Sequence, residues 1–379
     1  MAVKQTASCH WQGLFALFSI LSFFSGAFAD ETAPGPKPGT DGSSKSAIPR
    51  LVGVSLINLP GFEFGAQPDG QYTSSTNPPM PPPESQIAHF LSQNVNFFRV
   101  PVAWEFLQPE MNGKLNDVNL KAYKTFIEKI TTHGAYVAID LHAFARYKGQ
   151  IVGESPTTPA SALVSLWTQL GAVFKDNPLV MFGISNEPHD LVITTWATTV
   201  QKVVTALREK KIQNILLIPG TDYTALKTFP DWYEAMKVVK NPDGSFDGLV
   251  MEVHRYLDTD NSGTSPDCTA SHADEVAKAV QLLKADGRQV ILGETGGGST
   301  DSCMKFLPEL AAAVTDAYPV VLGFALWAAG SFDAPTGWKD QGNWNSIKKF
   351  IPAKGSEKTS PKPKPKSKCP SHAGSRPAR

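Results

Sequence analysis

The sequence lacks an excess of charge of either sign. Its 379 residues include 35 Lys and Arg and 35 Asp and Glu, so the formal net charge is +0. Because proteins that bind nucleic acids are usually basic, this balance argues against a nucleic acid partner. One segment departs from it, since residues 353–379 contain eight basic side chains and one acidic side chain. The rest of the chain is therefore mildly acidic, which is compatible with an uncharged substrate.

Motifs for nucleotides and metal ions are missing too. No Gly-x-Gly-x-x-Gly follows the first apolar run, and no phosphate-binding loop is present. The triplet Gly296-Gly297-Gly298 lacks the Lys-Ser/Thr pair of such a loop, so a tight turn is the better interpretation. The chain also has no His-x-x-x-His pair and no cysteine cluster. We therefore expect no organic cofactor and no metal ion.

Cysteine is scarce, with four residues in the chain, and no Asn-x-Ser/Thr glycosylation sequon occurs. The simplest disulfide joins Cys268 and Cys303, because both follow predicted strands and would lie on the same rim of a sheet. A disulfide across that span stabilises a fold by about 3–4 kcal/mol in the chain-entropy model. Cys9 would leave with the N-terminal segment that is described next, and Cys369 is left odd, either free or bonded to another molecule.

Long apolar runs are absent except near the N-terminus. Leu14 to Phe28 is dominated by Leu, Phe, Ile and Ala, follows the positive Lys4, and ends in Ala27-Phe28-Ala29. This order predicts a secretory signal peptide over residues 1–29, and a membrane anchor is the alternative. No other stretch approaches the roughly 20 apolar residues that a membrane span needs. We therefore expect a secreted, extracellular protein that has no membrane contact after cleavage.

The mature chain divides by composition into three parts. Residues 30–49 are rich in Pro, Gly, Ser and Thr, which predicts a flexible linker. Residues 353–379 alternate Pro and Lys and predict a disordered basic tail. The apolar and aromatic residues lie between them, so a single folded domain is expected over residues 50–352.

Apolar runs recur through this domain and predict its fold. Eight runs read as strands: Leu51–Ile57, Asn96–Val102, Tyr136–Leu141, Val180–Ser185, Ile215–Pro219, Leu249–Val253, Val290–Gly293 and Val321–Leu326. Most are continuous rather than alternating, as in parallel strands that are buried on both faces. A helical segment follows each run, including Asp222–Val239 after the fifth. Eight strand–helix units in about 300 residues predict an α/β protein with a (β/α)8 TIM barrel, and a doubly wound open sheet is the alternative.

Two glutamates close two of these runs. Glu187 stands in Asn186-Glu187-Pro188, and Glu294 stands in Gly293-Glu294-Thr295. A glutamate at the carboxyl end of a buried strand is held rigidly and is partly desolvated. Two such glutamates can divide acid and nucleophile roles between them, as glycoside hydrolysis requires.

Other polar and aromatic residues also lie at the carboxyl ends of predicted strands, where barrel enzymes form their active sites. They are Arg99, His142, Asn186, His254, Tyr256 and Trp327. Simpler interpretations stay open for several of them. Arg99 could be a structural ion-pair partner, His142 and His254 could be core histidines or metal ligands, and Trp327 could plug the barrel.

The motifs resemble those of the family 5 glycoside hydrolases, and within that family the fungal endo-β-1,4-glucanases. The resemblance covers roughly Leu51 to Phe350, in family order. The matching stretches are Phe98–Val102, Asp140–His142, Tyr147–Gly153, Phe182–Ile184, Asn186–Asp190, Glu252–His254, Tyr256–Asp258, Asn261–Thr264 and Gly293–Gly298. Two stretches depart from the family pattern. Ala143 stands where Asn is usual, and Leu326 to Ser331 replaces Trp-Trp-Ala-Ala-Gly-Pro, so one aromatic is lost.

The resemblance implies a retaining, double-displacement mechanism. Glu187 would be the general acid/base and Glu294 the nucleophile, with about 5–5.5 Å between the carboxyl groups. Arg99 and the Tyr256 hydroxyl would keep Glu294 ionised by charge and hydrogen bonding. Asn186 would bond the 2-hydroxyl of the sugar.

The remaining residues imply a sugar-binding cleft. His142 and His254 would line it, and Trp327 would offer a flat apolar face to a pyranose ring. The expected partner is a β-glucan polysaccharide or oligosaccharide, and the expected state is a monomer. Another β-glycan hydrolase, acting on mannan, mixed-linkage or β-1,3-glucan, is the first alternative. A secreted carbohydrate-binding barrel without catalysis is the second.

Overall fold

The computed structural model describes residues 48–56, 61–73, 84–329 and 342–352. Three predicted segments therefore lie outside the described residues: the signal peptide, nearly all of the linker and the basic tail. Cys9, Cys369 and Ser331 lie outside them as well. Of the helices in the described part, none combines the length and apolar character needed to cross a bilayer.

A closed barrel of eight parallel strands forms the centre of the molecule, which confirms the predicted (β/α)8 fold. The barrel strands are β1 (Leu51–Leu56), β2 (Phe97–Val102), β3 (Tyr136–Leu141), β6 (Val180–Gly183), β7 (Leu216–Pro219), β8 (Leu249–Tyr256), β9 (Gln289–Gly296) and β10 (Val321–Ala329). Around the barrel the strand order is β1-β10-β9-β8-β7-β6-β3-β2. Pairing of β1 with both β2 and β10 closes the ring.

Helices surround the barrel and join successive strands. They are α1 (Glu84–Ser92), α2 (Trp104–Leu107), α3 (Asp117–Thr131), α4 (Ala160–Phe174), α5 (Ile193–Glu209), α6 (Phe229–Met236), α7 (Ala273–Asp286), α8 (Asp301–Asp316) and α9 (Gly342–Ile347). Side-chain caps begin two of them: Asn116 accepts the amides of residues 118 and 119, and Thr300 accepts that of Cys303. The longer helices are amphipathic and bury their apolar side chains, in α5 for example Trp196, Val200 and Val203.

The strand pleat divides the core into two layers. One layer fills the barrel interior with one or two residues from every strand: Leu51, Phe97, Ala138, Met181, Leu217, Val250, Ile291, Leu322 and Ala325. The other layer lies between barrel and helices. Because successive strand residues point to opposite faces, the next inward position lies two residues further along each strand. Those positions lead to the carboxyl end of the barrel.

The structure differs from the sequence prediction in three places, the first being the short helix α2, which was not predicted. The predicted helix Asp222–Val239 is broken, because residues 222–224 have φ between 53° and 58° and a 3-10 turn follows at Leu226–Thr228. Helix α6 begins only at Phe229, with a proline in its first turn. The hairpin of β4 (Arg146–Tyr147) and β5 (Gln150–Ile151) was not predicted, since strands of two residues leave no periodic signal.

Candidate active site

Inward-facing positions at the carboxyl ends of the strands carry a cluster of polar side chains. On β2 the inward step from Phe97 leads to Arg99, and on β3 the step from Ala138 leads to Asp140. Hydrogen bonds, ion pairs and ring contacts connect all eight side chains that the sequence singled out: Arg99, His142, Asn186, Glu187, His254, Tyr256, Glu294 and Trp327. The predicted convergence of these side chains is therefore present.

Arg99 lies at the centre of the cluster and is fully buried. Its Nη1 is 2.6 Å from Glu294 Oε1 and 2.9 Å from Asp140 Oδ2, while Nε donates to Glu252 Oε1 at 3.1 Å. Nη2 donates to Asn186 Oδ1 at 2.6 Å. Burial alone would lower the pKa of the guanidinium, but the surrounding carboxylates raise it, so Arg99 stays charged. Arg99 thus contacts side chains from β3, β8 and β9 and from the segment that follows β6.

Glu294 accepts a hydrogen bond on each oxygen. Arg99 reaches Oε1, and the Tyr256 hydroxyl donates to Oε2 at 2.7 Å. Burial raises the pKa of the Glu294 carboxyl, and the charges of His254 and Arg99 act in the opposite direction. Burial and the nearby carboxylate raise the pKa of Tyr256 well above its usual value, so the phenol keeps its proton and stays a donor. These are the contacts expected around Glu294.

Glu187 follows β6 in a different environment. Its φ is 40°, in the left-handed region that residues other than glycine rarely adopt. Its side chain is 18% exposed, whereas that of Glu294 is 4% exposed. One oxygen of Glu187 and one oxygen of Glu294 lie within 4.8 Å of each other, with His254 beside both. The two carboxyl groups therefore face each other at the open end of the barrel.

His254 lies among three carboxyl groups. Its Nδ1 is 2.8 Å from Glu187 Oε1 and 3.6 Å from Glu294 Oε2, and its Nε2 is 3.5 Å from Glu252 Oε1. Burial opposes a charge on the ring, but the carboxyl groups outweigh burial and raise the pKa of His254 to about 10. The ring is therefore an imidazolium at neutral pH.

His142 links the cluster to an aromatic wall. Its Nδ1 is 2.9 Å from Asp140 Oδ2, and its ring stacks on Trp327 with centroids 5.7 Å apart. Burial opposes the charge on each partner, but the neighbouring charges outweigh it. Contact with Asp140 raises the pKa of His142, and Arg99 and His142 lower the pKa of Asp140. Trp327 is thereby held flat beside the carboxyl groups.

Sequence reasoning quoted Asp140 and Glu252 in motifs but gave neither a role in the site. Both are buried partners of Arg99, and each lies two residues before a predicted histidine on the same strand face. This spacing of two residues was the sequence signal that could have placed Asp140 and Glu252 in the site. Gly293 makes room for Glu252, since a Cβ there would lie 2.3 Å from Glu252 Oε1.

Glu63 also escaped the sequence analysis. It follows β1 by a loop, and burial raises the pKa of its carboxyl to about 7 while the charge of His142 lowers it. The Phe62 carbonyl accepts a hydrogen bond from the Ala103 amide just after β2, which fixes the loop at this end of the barrel. No periodic pattern marks a single residue in such a loop.

The predicted disulfide is present at the same rim. Cys268 and Cys303 are bonded, with Cα atoms 4.8 Å apart. The bond joins the segment after β8 to the first turn of α8, and Ser302 Oγ accepts the Cys268 amide at 3.1 Å. The disulfide therefore restrains the connections that follow the strands of Tyr256 and Glu294.

Glu187, His254 and Glu294 could also be considered as metal ligands. One potential ligand atom from each lies within 4.8 Å of the others. A histidine must be neutral and offer a lone pair to bind a metal ion. Both ring nitrogens of His254 face carboxylate oxygens, and its pKa of about 10 keeps both protonated. The donor set therefore fits a resident metal ion poorly, because binding would have to remove a proton from His254.

Comparisons with known proteins agree with this site. The family model "Cellulase (glycosyl hydrolase family 5)" matches residues 57–330. The chain is 41% identical over 301 residues to the "Manganese dependent endoglucanase Eg5A" of Phanerodontia chrysosporium, covering 78% of this chain and 76% of the relative. Among solved structures, Cel5A (EG2) from Hypocrea jecorina superimposes with a TM-score of 0.72 and 32% identity, covering 80% of this chain and 98% of that one.

A second solved structure, XacCel5A in complex with cellopentaose, is 30% identical with a TM-score of 0.72. It covers 80% of this chain and 99% of that chain. The matched family region includes every polar residue of the site. The chain belongs to the cellulases of glycosyl hydrolase family 5.

Proposed function

We propose that this cellulase is a secreted, retaining endo-β-1,4-glucanase in which Glu187 is the acid/base and Glu294 the nucleophile. The observation that carries the proposal is the carboxyl pair, whose nearest oxygens lie within 4.8 Å at the open end of the barrel. Retaining glycosidases place their carboxyl groups about 5–5.5 Å apart, whereas inverting enzymes need about 6.5–9.5 Å to admit a water. The short separation favours a covalent intermediate.

The charges in the site support this division of roles. Three cationic side chains face four carboxyl groups: Arg99, His142 and His254 against Asp140, Glu187, Glu252 and Glu294. The acid role requires Glu187 to deliver a proton, and its Oε2 would carry it because Oε1 contacts His254. Both oxygens of Glu294 already accept hydrogen bonds, as a nucleophilic carboxylate would.

In the first step a Glu294 oxygen attacks the anomeric carbon, and the bond from that carbon to the leaving oxygen breaks. Glu187 gives its proton to the leaving oxygen, so the departing sugar is a neutral alcohol. In the second step Glu187 takes a proton from water, the hydroxide displaces Glu294, and the anomeric configuration is retained overall. His254 stays hydrogen-bonded to Glu187 Oε1 and orients it throughout.

Two further side chains would hold the sugar. Arg99 donates to Oδ1 of Asn186, and the Asn186 amide nitrogen lies 3.4 Å from His142 Nε2, so its second hydrogen would donate to the 2-hydroxyl. One face of the Trp327 ring stacks on His142, and its other face would receive a pyranose ring. The solved cellopentaose complex of XacCel5A, which shares this fold, supports a β-glucan oligosaccharide as ligand.

Product analysis tests the substrate. We expect carboxymethyl cellulose and cello-oligosaccharides to be cleaved internally, with a rapid fall in viscosity and a β-anomer as the first product in proton NMR. Mannan and laminarin should be cleaved at least about tenfold more slowly, because a pocket that bonds specific hydroxyls rejects analogues that misplace them. Preference for mannan or laminarin would reject the cellulase assignment, and an initial α-anomer would reject retention.

Activity should not require a metal ion, although one relative is named a manganese-dependent enzyme. His254 is bonded to Glu187 and its pKa is raised to about 10, so a metal ion would have to displace a proton to bind it. We expect activity on cellopentaose to be unchanged after dialysis against EDTA. A loss that Mn²⁺ restores would contradict this.

Secretion remains a proposal that two observations support. The N-terminal segment has the order of a signal peptide. The Cys268–Cys303 disulfide is typical of oxidising compartments such as the cell exterior. The linker, the basic tail and a monomeric state likewise remain predictions.

A further inference from the structure

The segment that follows Glu187 has a backbone that needs external support. Glu187 has a φ of 40° and Asp190 a φ of 49°. Residues other than glycine in this region cost about 1–3 kcal/mol each and persist only where their surroundings impose the conformation. The contacts of residues 187–190 therefore decide where the Glu187 carboxyl lies.

Arg146 supplies side-chain contacts to this segment. It lies in β4 and is 7% exposed. Its Nη2 donates to the carbonyl oxygen of His189 at 2.9 Å, and its Nη1 donates to that of Phe144 at 2.8 Å. Among the residues that the structure describes, no carboxylate forms an ion pair with Arg146. Burial lowers the pKa of this guanidinium, with the charge of Asp190 acting against it, so its desolvation is offset mainly by the carbonyl oxygens it holds.

The aliphatic part of the Arg146 side chain packs against Gly70. Gly70 has a φ of 75°, and a Cβ there would lie 2.3 Å from the Cβ of Arg146. The Gly149 amide donates to the Gly70 carbonyl at 2.8 Å, which ties the β4–β5 hairpin to the loop of residues 61–73. Arg146 therefore projects from a rigid base.

His189 is fixed on its other side as well. Its ring stacks on Tyr223 with centroids 4.2 Å apart and 28° between the planes. The Tyr223 amide donates to the Pro188 carbonyl at 3.1 Å. The four residues from Glu187 to Asp190 are thus held between the β4–β5 hairpin and the left-handed turn at residues 222–224.

We propose that Arg146 is a positioning residue for the acid/base carboxyl of Glu187. By holding the His189 carbonyl two residues further along the chain, it keeps Glu187 within reach of the leaving oxygen. Arg146 touches neither the sugar nor the reacting atoms. The proposal rests on the acid/base role proposed for Glu187, and its test must separate the two.

The leaving group provides that separation. A departing cello-oligosaccharide is a poor leaving group and needs the Glu187 proton, whereas dinitrophenolate leaves as a stable anion without one. A misplaced acid should therefore slow cleavage of cellopentaose and leave cleavage of dinitrophenyl β-cellobioside nearly intact. The comparison uses kcat/KM, which reports the first step when formation of the glycosyl-enzyme is followed.

The variants are Arg146→Met and Arg146→Lys, with Arg208→Met as the matched control. Arg208 is also buried and also binds carbonyl oxygens, those of Ile212 and Asn214, but at the amino ends of the strands. For R146M we expect kcat/KM on cellopentaose to fall about 30- to 100-fold and that on the dinitrophenyl substrate less than about threefold. R146K should recover part of the loss, since lysine keeps the charge but not the two-pronged geometry. R208M should change both substrates equally.

Each outcome decides between the alternatives. Equal losses on both substrates for R146M and R146K would assign Arg146 a purely structural role and overturn the proposal, as would no loss on cellopentaose. If R146M does not fold in circular dichroism, R146K alone carries the comparison. Failure of the acid/base role is recognised separately with Glu187→Ala, which would then lack the selective loss on cellopentaose that removal of the acid predicts.

Discussion

Replacing Glu294 by Gln should lower kcat/KM on cellopentaose on the order of 10⁴-fold. The amide cannot attack the anomeric carbon, so neither the covalent intermediate nor the product can form at the normal rate. The fold should be kept, because Arg99 can still donate to the amide oxygen and one buried carboxylate is removed. Initial rates on cellopentaose, together with the thermal midpoint, measure both effects.

Glu209→Gln is the control for this substitution. Glu209 ends α5 and is exposed on the outer surface of the barrel, far along the strands from the site. We expect wild-type rates for the control. If the Glu294 variant kept more than about a hundredth of wild-type activity, Glu294 would not be the nucleophile.

Replacing Arg99 by Met should have the largest effect on stability. The change leaves three buried carboxyl groups, Asp140, Glu252 and Glu294, without their common cation. Removing one partner of a buried ion pair typically costs about 3–5 kcal/mol. Catalysis should fall at least about 10³-fold as well, because Glu294 loses the charge that favours its ionised form. Urea denaturation measures the free energy of unfolding.

The pH dependence of this deficit separates charge from packing. In the wild type Arg99 holds the pKa of Asp140 below its usual value, so this contact stabilises the fold above that value and its contribution is lost as pH falls. The deficit of Arg99→Met should therefore be undiminished between pH 7 and about pH 4 and smaller at about pH 3, as the lowered pKa of Asp140 is approached. A deficit that is the same at pH 7 and at about pH 3 would show that methionine merely packs badly.

The barrel could be predicted because its strands are buried on both faces. Most of the apolar runs from Leu51 to Leu326 are continuous, and the observed strands differ from the predicted ones mainly at their ends. The site followed from the barrel, since parallel strands bring their carboxyl ends together. Glu187 and Glu294 are 107 positions apart, yet topology alone places them in one cluster.

Other parts of the site have no periodic signal. The β4–β5 hairpin is set by long-range packing, such as the approach of Gly70 to Arg146. The left-handed turn at residues 222–224 interrupts a segment whose composition favours a helix, because its backbone bonds to Pro188 and frames the Glu187 loop. The Arg99 partners Asp140 and Glu252 could have been found only by listing every second residue of each strand, because those residues face the barrel interior.

Mass spectrometry of a trapped intermediate tests the central claim most directly. A cellobioside with fluorine in place of the 2-hydroxyl and dinitrophenolate as leaving group forms the glycosyl-enzyme quickly and releases it slowly. We expect one fluorinated cellobiosyl group per molecule, on the peptide that contains Glu294, and none in Glu294→Gln. An active enzyme that forms no adduct, or one labelled at Glu187 instead, would contradict the assignment.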